Sequence, residues 1–140
     1  MRIALLHYSS PPIVGGVESV LARHARLMAQ AGHRVSIITG RGKPFDDRIP
    51  VYVLPRLDSR HPDVLKVKAQ RDSGEVTPAF AALRGQIKQD LWTVLQNFDL
   101  LIAHNIATLH KNLPLTAAVN ELYRLPGAAR LVLWHHDLAW

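Results

Sequence analysis

Three short apolar runs in this chain each end in a polar cluster equipped for chemistry. Ile3-Ala4-Leu5-Leu6 leads into His7-Tyr8-Ser9-Ser10, Leu100-Leu101-Ile102-Ala103 into His104-Asn105, and Leu131-Val132-Leu133-Trp134 into His135-His136-Asp137. An imidazole can polarise a hydroxyl or a leaving group near neutral pH, and a neighbouring carboxylate can set which ring nitrogen carries the proton. His136 and Asp137 are therefore the candidate catalytic pair, and His104 and Asn105 are candidates for substrate contact. A fourth feature is Gly15-Gly16-Val17-Glu18, which opens an amphipathic stretch. Two glycines at a helix start let an anion approach free backbone N–H groups at the positive end of the helix dipole. Gly15 and Gly16 are thus the candidate phosphate-binding positions; the alternative reading is a plain tight turn.

Residues more than a hundred positions apart can meet only if the elements carrying them share an edge. Arg2 to His7 reads as a buried strand, followed by a loop with Pro11-Pro12 and Gly15-Gly16. Val17, Val20, Leu21, His24, Leu27, Met28 and Ala31 recur at helical spacing and predict a helix ended by Gly32. Further strands are expected at Arg34 to Thr39, Val51 to Leu54, Asp99 to Ala103 and Arg130 to Trp134. Phe80, Leu83, Ile87, Leu91, Val94 and Leu95 mark a strong helix, and Leu115 to Leu125 a shorter one stopped by Pro126-Gly127. Pro55 to Pro78 is the least defined stretch, with one helical candidate at Asp63 to Gln70. The order β-α-β-β-α-β-α-β predicts an α/β fold, a doubly wound Rossmann-like parallel sheet with strand order 3-2-1-4-5. Its switch point lies between the first and fourth strands, where open α/β sheets bind ligands. The glycine loop and His104-Asn105 flank that point.

Composition bounds the function. The 140 residues suit one domain, 48% of them are hydrophobic, and no apolar run approaches the length of a spanning helix. Ile3 to Leu6 is too short for the core of a signal peptide. A cytoplasmic location is expected, with peripheral contact at the inner membrane face compatible with the charge. There are no cysteines, which excludes disulfides, thiolate metal sites and cysteine nucleophiles. The net charge of +6 favours anionic partners, but no basic block or basic-aromatic alternation points to nucleic acid.

Other chemistries lack their motifs. A dinucleotide site needs G-x-G-x-x-G and an acidic residue ending the second strand, whereas here that strand ends Thr39-Gly40-Arg41. No Gly-Lys-Ser/Thr follows the glycines, and no G-x-S-x-G elbow exists. His104 and His110 lie six apart with no carboxylate between them, so no metal site is expected. His24 falls on an apolar helix face and reads as a satisfied core histidine. His135 reads as a packed or edge residue, and His33, His61 and His110 carry no functional claim.

Taken in order, these motifs resemble the N-terminal domain of a glycosyltransferase family 4 enzyme, a retaining transferase of GT-B fold. The matching residues are Gly15-Gly16-Val17-Glu18, Ala31-Gly32-His33-Arg34-Val35, Phe98 to Asn105, and Trp134-His135-His136-Asp137-Leu138. The resemblance implies two Rossmann-like domains, with the acceptor mostly on this one (residues 1–140) and a nucleotide-diphosphate sugar mostly on a second. It implies that Gly15 and Gly16 lie near the donor diphosphate and His136 near the transferred sugar. It also implies that no cofactor or catalytic metal is needed. The family's paired-glutamate E-x7-E motif belongs to the second domain and does not occur here. The chain is therefore expected to be the front part of a longer protein, inactive by itself. The alternative is a non-enzymatic α/β module that binds an anionic ligand or partner; a sugar-nucleotide epimerase is disfavoured by the missing dinucleotide fingerprint.

Overall fold

The computed structural model describes residues 1–75 and 77–137. Five strands form one sheet: β1 (Arg2–Ser9), β2 (Arg34–Arg41), β3 (Val51–Val53), β4 (Leu100–His104) and β5 (Arg130–Trp134). All pairings are parallel and the order is β3-β2-β1-β4-β5, as the crossover rule predicts. Four helices cover the sheet among the described residues: α1 (Gly16–Gln30), α2 (Pro62–Asp72), α3 (Pro78–Leu95) and α4 (Leu113–Leu122). None is long and apolar enough to cross a membrane.

Strand alternation divides the core into two layers. Ala4, Leu6, Leu101 and Ala103 face Leu83, Ile87 and Leu91 of α3 and Leu115, Ala118 and Val119 of α4. Ile3, Leu5, Val35, Ile37 and Ile102 face Leu21 and Ala25 of α1. On α3 the buried set repeats every four residues, Leu83-Ile87-Leu91-Leu95, as its periodicity predicts.

α1 is rotated from its expected face. Leu21, Ala22 and Ala25 are buried, whereas Leu27 and Ala31 are exposed. Small alanines let the helix lie close to the sheet, so the apolar stripe shifts by about one position. Its end is a Schellman motif: Gly32 at φ 88° directs its N–H to the Ala29 carbonyl and that of His33 to Met28.

The expected helix at Leu115 begins earlier because Asn112 caps it, accepting from the Leu115 N–H at 3.1 Å. The Asn112 amide also donates to the carbonyls of Arg56 and Leu57 at 3.0 and 3.3 Å, tying α4 to the 3-10 turn at Pro55–Leu57. The helical candidate at Asp63 to Gln70 is α2, whose first turn is capped by the His61 ring.

The same alternation positions the site. His7 shares parity with Ile3 and Leu5, His104 with Ile102, and Trp134 pairs with His104 across the β4–β5 ladder. All three rings therefore emerge on the α1 side, at the C-terminal edge of the sheet.

Candidate functional site

β4 ends in His104, which is completely buried, and Asn105, which is 1% exposed. Asn105 stands at φ 58°, a left-handed conformation that asparagine tolerates better than most residues. That conformation turns the chain off the sheet and aims the Asn105 side chain at the loop after β5. Its Oδ1 accepts from the His136 N–H at 2.7 Å and the Asp137 N–H at 3.3 Å, and its Nδ2 donates to Asp137 Oδ2 at 2.9 Å. The Asn105 N–H itself donates to the Trp134 carbonyl. The two clusters, 31–32 residues apart in sequence, are thus clasped together.

A second contact joins the rings. His104 Nδ1 lies 2.9 Å from His136 Nε2, and the two imidazoles are stacked with centroids 5.2 Å apart. His136 is half-buried and Asp137 exposed. The Asp137 carboxylate was expected to orient the His136 ring, but adjacent residues project apart. The carboxylate engages Asn105, and the ring is oriented by His104. His136 Nε2 is turned inward as a result, and Nδ1 makes no hydrogen bond among the described residues.

The cluster continues inward. His7 Nδ1 donates to the His104 carbonyl at 2.9 Å, which fixes the proton on that nitrogen. His24 packs edge-on against Trp134 at 4.7 Å and lies 5.7 Å from His104. It is not the satisfied core histidine expected, because among the described residues its buried Nδ1 has no hydrogen-bond partner; nor does His104 Nε2. Among the described residues no three histidine, aspartate or glutamate side chains are placed to hold a metal ion. His135 is exposed, as expected of an edge residue.

Burial drives the basicity of these rings down. His104 is pushed to about 3 by desolvation, reinforced by repulsion from His136, His24 and His7. His7 is lowered by burial, against the opposing pull of its carbonyl partner and Glu18, and His24 is lowered by burial and by His136. In the unfolded chain each would titrate near 6.5. The unfolded state therefore binds more protons below that pH, and stability present above pH 6.5 is lost as the pH falls toward the folded values. Between pH 6.5 and 5, above the range of ordinary carboxylates, unfolding free energy should drop by up to about 1.4 kcal/mol per pH unit for His104, with His7 and His24 adding to the loss in the same direction. Urea denaturation at pH 7.5, 6.0 and 5.0 checks this, and a flat profile would refute it.

At the other flank Ser9 Oγ donates to Glu18 Oε1 at 2.5 Å. The Glu18 carboxylate folds back over Gly15, where a Cβ would collide with Oε2. Nothing lies within 4 Å of the Cβ position of Gly16, which is exposed at the first turn of α1. The two glycines therefore differ: Gly15 makes room for the protein's own carboxylate, and Gly16 faces open space. His7 bridges the two flanks, since it feels the charges of both Glu18 and His136. Sequence reasoning assigned no role to His7 or to the Ser9–Glu18 pair; strand parity was the available signal for His7.

A parallel doubly wound sheet with polar clusters gathered at its C-terminal edge defines a Rossmann-like domain. The sequence matches the model of Glycosyltransferase Family 4 over residues 14–139, and the chain belongs to that family. It is 39% identical over 71 residues to an MMP alpha-(1->4)-mannosyltransferase of Mycolicibacterium hassiacum. That match covers 48% of this chain and 17% of the relative's length. One solved structure, the C-terminal domain of a hydrogenase from Pyrococcus furiosus, aligns with 94% of this chain and 89% of its own at 10% identity. Its TM-score is 0.43, too low to bear on the argument.

Proposed function

We propose that this chain is the N-terminal, acceptor-side domain of a two-domain GT-B transferase. The enzyme moves a hexosyl group from a nucleotide-diphosphate sugar to an acceptor with retention of anomeric configuration. Family membership supports glycosyl transfer, and the clasp between His104-Asn105 and His136-Asp137 is the observation that supports the site. In this reading the bond between the anomeric carbon and the diphosphate oxygen breaks as the acceptor oxygen bonds to that carbon from the same face. The acceptor proton passes to the departing diphosphate. Open backbone N–H groups at Gly16 and Val17 meet the charge developing on the diphosphate, a preorganised stabilisation that needs no protein nucleophile. His136 presents Nδ1 to the sugar, while His104, Asn105 and Asp137 hold it in place from behind. Donor binding rests mainly on a second domain, so this chain alone is expected to be inactive.

The test is transfer by the full-length protein from a panel of nucleotide-diphosphate hexoses, with product anomers assigned by NMR. No transfer from any donor, or inversion, would overturn the reading. Gly16→Val separates site from scaffold, because the added side chain enters open space. The melting temperature should hold while donor KM rises about tenfold or more, the loss of one charge-assisted contact. A lower melting temperature with unchanged KM would make the loop structural.

A further inference from the structure

Beyond the glycine loop and the histidine clasp, one more polar group is held in a fixed position at the same sheet edge. β2 ends in Gly40-Arg41, and Arg41 pairs in register with Ser9 of β1. Its Nε donates to Asp58 Oδ2 at 2.9 Å. The Asp58 side chain is only 13% exposed, and its other oxygen accepts from the Arg60 N–H at 3.0 Å, so the carboxylate is fixed on both sides. Gly40 makes this possible: any Cβ there would collide with the backbone of Leu57 and Asp58. On the far side the Arg41 carbonyl accepts from the Ser10 N–H at 2.8 Å, and the Lys43 N–H donates to the Pro11 carbonyl at 2.9 Å. These bonds join the segment to the loop that leads into the glycines.

The Arg41 side chain remains 42% exposed, and among the described residues Nη1 and Nη2 make no hydrogen bond. An arginine that serves only as an ion pair can turn its whole fork to the carboxylate. Here the carboxylate takes Nε, and the end-on edge formed by the two terminal nitrogens carries no partner among the described residues. That arrangement is suited to two-pronged recognition of an oxyanion. The position has a physical precedent, since in open α/β sheets an arginine near the end of the second strand can read a phosphate on the ligand.

We propose that Arg41, positioned by Asp58, is the seat for an oxyanion carried by the acceptor, a phosphate or a carboxylate. The proposal rests on the acceptor-side reading given above and names the acceptor's chemical class. Lys43 and Arg60 on the adjoining loops add positive charge, consistent with the +6 of the chain.

The experiment is an NMR titration of the protein with inorganic phosphate and, separately, acetate at constant ionic strength, following the Arg41 Nε–Hε signal. A saturable shift is expected, and whichever anion binds more tightly identifies the group. Arg41→Lys keeps the charge but loses the fork and should weaken binding about fivefold or more. Lys66→Gln, on the exposed face of α2, should leave it within about twofold. Asp58→Asn, checked for folding by its melting temperature, separates positioning from bulk charge. A merely electrostatic patch would bind anions more tightly once that carboxylate is neutralised, whereas a positioned fork binds them more weakly. Binding by neither anion, unchanged binding in Arg41→Lys, or tighter binding in Asp58→Asn would overturn the proposal. Phosphate binding lost in Gly16→Val but kept in Arg41→Lys would place the seat at the glycine loop, so this proposal fails and the transferase reading survives. If the full-length protein proves to transfer no sugar, the titration still decides whether Arg41 holds an anion.

Discussion

If the proposed transferase reading holds, replacing His136 with alanine in the full-length protein is expected to lower kcat by about 10²-fold or more, the scale seen when a preorganised polar group is removed from a reacting centre. The fold should survive. His136 is half-buried, and among the described residues its ring makes one hydrogen bond, to His104 Nδ1. Losing that bond costs about 1 kcal/mol, or roughly 3 °C in a domain of this size. Steady-state kinetics beside a melting curve separate the two effects. Turnover near wild type would remove His136 from the mechanism, and a collapse in melting temperature would recast it as a structural residue. His136→Gln refines the test, because its amide can restore the bond to His104 without supplying an imidazole. If the ring itself acts on the sugar, glutamine regains stability and not rate.

The second large effect is expected at Asn105. Alanine there must adopt a left-handed conformation at a cost of about 1–2 kcal/mol and abandons two backbone N–H groups and the Asp137 carboxylate. With each of the three lost hydrogen bonds worth about 1 kcal/mol, the total comes to about 4–5 kcal/mol, large for a marginally stable domain. Asn105→Gly removes the conformational cost and keeps the hydrogen-bond loss, so it should fall between wild type and alanine. Urea titrations of the three proteins measure the order directly. Equal stability of glycine and alanine would mean that the left-handed turn carries no strain. Both variants should also release the loop at 136–137, visible as faster amide exchange at His136 and Asp137.

Much of this architecture was legible in the residues. Leu100 to Ala103 and Leu131 to Trp134 are short apolar runs that read as parallel strands, and the right-handed crossover rule then orders the sheet; the first is buried, whereas Val132, Leu133 and Trp134 on the edge strand are each 42% exposed. Because parallel strands end on one edge, the convergence of His104-Asn105 with His136-Asp137 followed from chain order alone. The partners within that convergence did not. That the Asp137 carboxylate meets Asn105 depends on the φ of Asn105, and asparagine is merely permitted in that region. The α1 face was misjudged at Leu27 because periodicity counts large apolar residues, while close packing on the sheet selected Ala22 and Ala25. Glu18 reads from sequence as a first-turn acid; its reach back over Gly15 is a matter of loop geometry. The Arg41–Asp58 pair was hidden for the same reason, since a contact seventeen residues apart rests on how Gly40 meets the 3-10 turn.

The clasp has a consequence for anyone who would transplant the site. The strand that displays His136 does not fix the loop carrying it; residues on the neighbouring strand do. His104, Asn105, His136 and Asp137 therefore behave as a single cassette split between two places in the gene. Moving the tip of β5 into another scaffold without the tip of β4 would carry the side chains and lose their aim. Random diversification of either half alone should yield almost entirely misaligned variants, whereas libraries that vary both halves together can find new pairs that fit.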